Sequence, residues 1–420
     1  RRTVDGQMAA VKRGFAPTRR SIFSAQAAVE YADYTRNKLR NSEQFLRELD
    51  VDFVDINDMA ADGLFHDDND RCRIEEKLKR EKVDGLLVPH GNFGDVCHRK
   101  GAEEIRRFLA VCNVVKKFRN MRILQISTRP FDFWTTMCNE GELLEKFNIQ
   151  LSPIPMPELT DAVKAAKEAG TEVAAVMQYC REHMDIKIKD DELENVAALK
   201  VAMKGLVEKY GCQAAAIQCW NQLQCELGIM PCAANALMNE EGIPVVCETD
   251  IHGAITALMV EAAGMGETRG FFADWTIRHP DIENGELLQH CGPWPISVAK
   301  ERPAITYPLA FDHPGSITAE AKHGSVTLCR FDGDNGEYSL LLGNAKGVDG
   351  PKGMGTYLWV EVENIKRLEE KIVTGPYIHH CVGIHKDVVP VLYEACKYIG
   401  IKPDLYDPIE EDVKAYLRGE

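Results

Sequence analysis

The sequence predicts an α/β protein with two domains built on mostly parallel sheets, followed by a β-rich, barrel-like C-terminal domain. Helix and strand patterns alternate through roughly the first 270 residues, which is typical of parallel sheets covered by helices. Beyond about residue 300, strand-like runs are separated by Gly, Asp and Asn, as in antiparallel sheets with tight turns. Of the 420 residues, 45% are hydrophobic and 27% are charged, so the chain has the composition of a globular protein.

The first predicted domain covers residues 1–118. A long amphipathic stretch predicts a helix over 21–49, and alternating apolar and polar residues predict a strand over 51–56. A short apolar run predicts a second strand over 83–88, and helical spacing of apolar residues predicts a helix over 102–118. This alternation favours a parallel sheet.

The second predicted domain covers residues 119–265 and continues the same alternation. Apolar runs predict buried strands over 121–126, 214–219 and 245–247. Amphipathic or apolar helical patterns lie between and after these strands. The predicted helices cover residues 139–147, 157–169, 191–210, 231–240 and 251–263.

The third predicted domain covers residues 266–420 and is rich in strands. It begins with a short apolar run at 270–273, and a helix over 388–399 lies near its end. Gly333, Asp334, Asn335 and Gly336 have the composition of a hairpin turn. The further strands are predicted over residues 324–330, 338–342 and 356–362.

Charge and composition exclude several classes of function. With 50 basic and 65 acidic residues the net charge is −15, which argues against general nucleic-acid binding. No run approaches the roughly 18 apolar residues of a membrane span, and residues 1–11 contain no signal-peptide core. The 14 cysteines are dispersed without a CxxC pair, which favours reduced thiols in a cytoplasmic protein. Dinucleotide, phosphate-loop and nucleophile-elbow motifs are also absent.

Two acidic residues stand at the ends of apolar runs. Glu248 follows the predicted strand 245–247, and Asp274 follows 270–273. Ligands of α/β sheets bind at the carboxyl ends of strands. A carboxylate buried there needs a cation, a hydrogen-bond network or a proton. Each residue is also compatible with a simple cap of the helix that follows.

Three histidines add to this pattern. His290, His379 and His380 lie in apolar segments that contain glycine. Two carboxylates together with separated imidazoles are ligands typical of a divalent-metal site. Packed or surface histidines are the alternative, and spacing alone does not exclude it.

The same residues resemble the L-fucose isomerase and L-arabinose isomerase superfamily. The resemblance is carried by CETDIHGA at 247–254, FAD at 272–274, His290, and HHCVGIH at 379–385, in the order and approximate spacing of that superfamily. The three-domain layout also matches.

The resemblance implies a metal site and a set of residues around a sugar. Glu248 and Asp274 would be metal ligands and the acid–base pair, His380 a ligand, and His290 a ligand or its close neighbour. Arg19 or Arg20 would reach the site of another subunit. The residues that the resemblance places beside the sugar are Arg19, Arg20, Asn92, Phe93, Gln218, Trp220 and His379.

The implied activity is that of an aldose–ketose isomerase that uses Mn²⁺ or another divalent metal and passes through a cis-enediol(ate). Members of the superfamily are oligomers with sites at subunit boundaries, so we expect a trimer or hexamer. The sugar stays open: Arg19, Arg20 and Arg129 could line a basic pocket, so an anionic or sulfonated sugar is compatible with the acidic chain. The alternatives are a non-catalytic sugar-binding or regulatory descendant of the fold, and a metal-dependent epimerase or lyase that uses the same intermediate.

Overall fold

The computed structural model describes residues 11–17, 25–41, 51–59, 64, 68–87, 98–307 and 313–418. The chain divides into two compact units, with the division between residues 116 and 117. Within the described ranges, no helix combines the length and apolar character needed to span a membrane.

The smaller unit contains a parallel three-stranded sheet. Its strands are β1 (Val11–Phe15), β2 (Val51–Asp55) and β3 (Gly85–Leu87), in the order β2-β1-β3. The helices in the described part of this unit are Ala25–Asn41, Asp68–Arg80 and most of His98–Phe118.

The larger unit begins with a parallel four-stranded sheet. Three of its strands are mostly apolar and largely buried, as expected for strands covered on both faces, whereas one edge strand is mostly part-exposed. In chain order the strands are β4 (Arg122–Ile126), β5 (Gln150–Ile154), the short β6 (Asp185–Ile186) of the next sheet, β7 (Ala214–Ile217) and β8 (Val245–Val246), and the sheet order is β5-β4-β7-β8. The helices of this part are Glu140–Phe147, Met156–Ala169, Thr171–His183, Asp190–Lys209, Gln222–Leu227, Cys232–Glu240 and Ile251–Gly264.

A mixed ten-stranded sheet forms most of the remainder. Its strands are β9 (Gly270–Arg278), β10 (Gly285–His290), β11 (Ala304–Thr306), β12 (Ser316–Glu320), β13 (Ser325–Asp334), β14 (Glu337–Val348), β15 (Thr356–Glu361), β16 (His380–Ile384) and β17 (Lys402–Asp407). The order is β17-β14-β13-β16-β9-β10-β15-β12-β11-β6. Because β14 also pairs with β15, the strands from β14 round to β15 close on themselves. Helices Ile365–Thr374, Val389–Ile399 and Glu410–Arg418 complete the unit.

The fold-class prediction is confirmed: parallel α/β sheets accompany a β-rich part with a closed ring of strands. The predicted hairpin is present, since Asp334 pairs with Glu337 and both turn residues, Asn335 and Gly336, have positive φ. The division of the larger unit at residue 265 stays a prediction.

Candidate functional site

The pairing of three strands brings three predicted site residues together. Asp274 lies within β9, not after its end as the sequence suggested, because the strand continues to Arg278. Its neighbours in the sheet are His380, the first residue of β16, and Gln289 of β10. His290 ends β10, directly after Gln289. Asp274 therefore lies opposite His380 and one position away from His290 along β10.

Glu248 reaches the same place from the four-stranded sheet, just after β8. Its φ is 54° and that of Thr249 is 51°, a left-handed conformation that non-glycine residues seldom adopt. The Thr136 Oγ1 donates a hydrogen bond to the Glu248 carbonyl at 3.2 Å, and Thr249 Oγ1 donates to the Thr128 carbonyl at 3.1 Å. The strained turn is thus held by the connection that follows β4.

The two oxygens of Glu248 have different surroundings. Oε1 accepts hydrogen bonds from Trp220 Nε1 at 3.1 Å and Cys219 Sγ at 3.2 Å. Oε2 is buried and has no hydrogen-bond partner in the described part of the chain. It faces His290 Nε2 at 3.6 Å and His380 Nε2 at 3.9 Å.

Asp274 presents its Oδ1 to the same two imidazoles. That oxygen lies 3.8 Å from His290 Nε2 and 3.6 Å from His380 Nε2. It too is buried without a hydrogen-bond partner among the described residues. These four atoms, all of them potential metal ligands, therefore form a ring. Neighbours in that ring are too far apart for a normal hydrogen bond.

The residues present fit a divalent metal ion. Two unsatisfied carboxylate oxygens are costly to bury unless a cation or a proton compensates them. Two ligands about 2.1 Å from one ion are about 3.4 Å apart in tetrahedral geometry, slightly less than the 3.6–3.9 Å around this ring. Carboxylate and imidazole ligands suit Mn²⁺ and its divalent neighbours.

A buried carboxylate fixes the orientation of His380. The Nδ1 of His380 lies 2.8 Å from Asp250 Oδ2, so a proton on Nδ1 is the arrangement that makes a hydrogen bond. The Nε2 lone pair is then directed towards Glu248 and Asp274. This combination of carboxylate and imidazole is the usual support of a metal-bound histidine.

Asp250 is itself held by a buried arginine. Arg330 pairs with both carboxylate oxygens of Asp250 and, through Nε, with Asp332 Oδ2 at 2.9 Å. Asp332 Oδ1 lies 2.8 Å from His252 Nδ1. All of these side chains are buried. Burial would raise the pKa of Asp250, but the charge of Arg330 and the contact with His380 hold it well below its usual range.

His290 is oriented differently from His380. Its Nδ1 accepts a hydrogen bond from the backbone N–H of Cys291 at 2.9 Å. In a neutral ring the proton is therefore on Nε2, the atom that faces Glu248 and Asp274. This arrangement makes His290 a hydrogen-bond donor to the site, whereas His380 offers a lone pair.

The electrostatics of the site favour a bound positive charge. Burial would lower the pKa of His290, but the negative charges of Asp274 and Glu248 raise it well above its usual value. Burial would likewise raise the pKa of Glu248, but His290 and His380 lower it. The site thus stabilises cations and ionised carboxylates.

The other predicted sugar contacts are distributed as follows. The side chain of Trp220 binds Glu248, and Gln218 Oε1 accepts a hydrogen bond from Ser127 Oγ at 2.7 Å. His379 is exposed, and its ring nitrogen lies within 4.8 Å of ligand atoms of Asp274 and His380. The remaining four, Arg19, Arg20, Asn92 and Phe93, lie outside the described residues.

Sequence reasoning missed the residues that support the site. Phe272, two positions before Asp274, packs its ring against those of His290 and His380, with centroids 5.3 and 4.9 Å away. The sequence patterns assign no role to Asp250 or Arg330. Arg330 offered a signal, since a charged residue between apolar neighbours in a strand needs a buried partner.

Comparison with known proteins gives several relatives and no matching protein-family model. The chain is 24% identical over 309 residues to a protein of Alkalicoccus urumqiensis, covering 72% of this chain and 68% of the relative. It is 25% identical over 351 residues to a protein of Priestia aryabhattai, covering 80% and 77%. A Clostridium sp. (strain MSTE9) protein is 24% identical over 317 residues, covering 72% and 69%. All three relatives are named sulfoquinovose isomerase.

Proposed function

We propose that this chain is a divalent-metal-dependent ketol isomerase that interconverts sulfoquinovose, a hexose bearing a sulfonate, and the corresponding ketose. The observation that carries the proposal is the ring of Glu248 Oε2, Asp274 Oδ1 and the Nε2 atoms of His290 and His380, with distances of 3.6–3.9 Å. The names of the relatives supply the substrate.

Glu248, Asp274 and His380 would hold the metal ion. The two carboxylate oxygens lack protein partners, and the tautomer of His380 leaves Nε2 free to ligate. When bound, such an ion supplies Lewis acidity that stabilises negative charge on the sugar oxygens.

The carboxylates would also move the protons of the reaction. Isomerisation removes the proton from C2 of the open-chain aldose and returns it to C1, while the proton on O2 is lost and O1 gains one. Asp274 keeps 26% of its side-chain surface exposed, so it is better placed than Glu248, with 4%, to meet the carbon-bound proton. Glu248 would then transfer the proton that leaves O2 to O1.

His290 would donate a hydrogen bond rather than ligate. Its Nε2–H points into the ring of ligand atoms, where it can stabilise the oxygen that gains charge in the enediolate. Phe272 covers both imidazoles and limits access of water to them.

The test is to incubate the purified protein with sulfoquinovose in D₂O, after metal removal and again after Mn²⁺ is restored, and to follow the products by NMR. Ketose formation that depends on Mn²⁺, with deuterium entering at C1, is expected. A C2 epimer or a cleaved product as the main species would instead indicate an epimerase or lyase. Binding without conversion would indicate a non-catalytic protein.

A further inference from the structure

The loops that follow the strands of the four-stranded sheet contain one basic residue, Arg129. The connections after β4, β5, β7 and β8 run to the next helices through residues 127–139, 155, 218–221 and 247–250. Arg129 is the single Lys or Arg in these four segments. Arg330, which contacts Asp250 at the end of the last segment, is fully buried and paired with Asp250 and Asp332.

The connection that carries Arg129 borders the candidate site. Thr128 and Thr136, which flank Arg129 in this segment, bind the turn at Glu248 and Thr249. The ring of Phe133 packs on that of Trp220, whose indole N–H binds Glu248, with 5.5 Å between centroids. Arg129 is therefore on a segment that is hydrogen-bonded to the backbone of Glu248 and to the side chain of Thr249.

The guanidinium of Arg129 is held in place by contacts of Nη1 and of its flat face, while its other N–H groups remain available to a ligand. Nη1 donates to the carbonyls of Pro130 at 3.3 Å and Phe131 at 3.0 Å. The guanidinium carbon lies 4.8 Å from the ring centre of Trp134, a cation–π contact. Nε and Nη2 have no acceptor among the described residues. The side chain is half-buried.

We infer that Arg129, held against Trp134, binds the sulfonate of the substrate and so determines the specificity for a sulfonated sugar. The inference rests on the proposed function. A guanidinium presents parallel N–H groups that match a planar pair of sulfonate oxygens, and a bond between charged groups is stronger than the bond a sugar hydroxyl would make. An anionic substrate in a chain of net charge −15 also requires a local cation.

The test compares the binding of two open-chain sugar alcohols that cannot isomerise, 6-deoxy-6-sulfo-D-glucitol and D-glucitol, by calorimetry on the Mn²⁺-loaded protein. Arg129→Gln should reduce the preference for the sulfonated ligand by about 10- to 100-fold, the range expected for a lost charge-assisted bond. Arg129→Lys keeps the charge but not the paired N–H groups of the guanidinium, so its preference for the sulfonated ligand should lie between those of the wild type and Arg129→Gln.

Arg122→Gln is the matched control. Arg122 begins β4 whereas Arg129 follows its end, and its Nη2 binds Gln150 at 2.7 Å. This variant should keep the wild-type preference.

An unchanged preference in Arg129→Gln, with wild-type melting temperature, would overturn the inference. Conversion of sulfoquinovose by the wild type, measured separately, decides the proposed function. A protein that converts the substrate while Arg129→Gln retains the preference would keep its function and lose this sulfonate subsite.

Discussion

His379 and His380 are adjacent but have different environments. His380 is 1% exposed and its Nδ1 is held by Asp250, whereas His379 is exposed. His379 precedes β16, and its ring nitrogen lies within 4.8 Å of ligand atoms of Asp274 and His380, so it borders the ring of ligand atoms from the exposed side. We expect His380→Ala to lose most of its bound Mn²⁺ and His379→Ala to retain it, with changed substrate affinity, as measured by metal analysis of the purified proteins. Retention in His380→Ala with loss in His379→Ala would reverse the assignment.

His290 should separate metal binding from turnover. Because Nδ1 accepts the Cys291 N–H, the Nε2 of His290 carries the proton and cannot ligate in the neutral ring. His290→Leu removes this donor but none of the three proposed metal ligands. We therefore expect it to retain more bound Mn²⁺ than His380→Ala while its kcat falls about 10²-fold or more, in the range for loss of one oxyanion-stabilising donor. Equal loss of metal in both variants would make His290 a ligand.

At the residue scale, the sequence patterns could predict the candidate site residues but not the residues that orient them. Glu248, Asp274, His290 and His380 are indicated by their residue type and by the family resemblance, and the structure brings them together. Asp250 and Arg330 are 80 positions apart, so only the packing of helix Ile251–Gly264 against β13 makes them a pair. The tautomer difference between the two imidazoles depends on hydrogen bonds that no pattern in the sequence reveals.

The residue that caps the N-terminus of helix Ile251–Gly264 also contacts the site. Its N-cap, Asp250, accepts a hydrogen bond from the Gly253 N–H at 2.9 Å and also holds Arg330 and His380. Asp250→Asn preserves a capping oxygen but leaves Arg330 undercompensated. We expect the free energy of unfolding to fall by about 3–5 kcal/mol. The affinity for Mn²⁺ should fall about 10- to 100-fold.

The control for this variant is Asn364→Ala, which removes the cap of helix Ile365–Thr374, where Asn364 accepts from the Arg367 N–H at 3.1 Å. It should cost about 1 kcal/mol and leave metal affinity unchanged. Denaturant unfolding and metal titration check both variants. An Asp250→Asn protein with wild-type metal affinity would remove Asp250 from the support of His380.

Strand β10 carries a buried carboxyl group that makes stability depend on pH. Glu286 is 9% exposed, its Oε2 has no hydrogen-bond partner in the described ranges, and burial raises its pKa to about 7. The protonated form is favoured in the folded state, so this contribution to stability is complete below about pH 4.5 and is lost as the pH rises through 7.

Glu286→Gln imitates the protonated group and should therefore be more stable than the wild type at pH 8, by on the order of 1 kcal/mol, and equal to it near pH 4.5. Urea unfolding at both pH values measures this difference. Glu361→Gln, on the exposed face of neighbouring β15, is the control and should show no such pH-dependent gain. A constant difference at both pH values would rule out titration of Glu286 as the cause.

At the element scale, long helices and apolar strands were predictable and polar strands were not. The predicted helix 251–263 is observed as Ile251–Gly264, and the strand 121–126 as Arg122–Ile126. β10 was missed because its sequence, GELLQH, shows no clear alternation of apolar and polar residues. In the structure the strand lies between β9 and β15 and is mostly buried. β17 was missed because Lys402, Pro403 and Asp404 disfavour strands in isolation, and pairing with β14 outweighs that preference.

In the larger unit, the site takes residues from both sheets. Glu248 comes from the end of the four-stranded sheet, whereas Asp274, His290 and His380 come from the ten-stranded sheet. An ion held by Glu248 together with Asp274 and His380 would stabilise the folded state relative to the unfolded chain, in which these three ligands are dispersed. Metal binding should therefore be visible as a change in the stability of the whole unit, independently of any turnover.

We expect Mn²⁺ to raise the melting temperature of metal-stripped protein, because a ligand that binds only the folded state adds about 2.7 kcal/mol at a free concentration 100 times its Kd. Calorimetric scans over a Mn²⁺ series, reversed with a chelator, measure the effect. In Glu248→Gln most of the shift should disappear, since the four-stranded sheet then contributes a neutral amide in place of a carboxylate.

A second cluster could bind the ion instead: potential ligand atoms of Glu320, His323 and Asp349 lie within 4.8 Å of one another outside the site. If Mn²⁺ stabilised the wild type and Glu248→Gln equally, and His323→Ala abolished the shift, the ion would bind at that surface cluster and the metal assignment of Glu248 would be wrong.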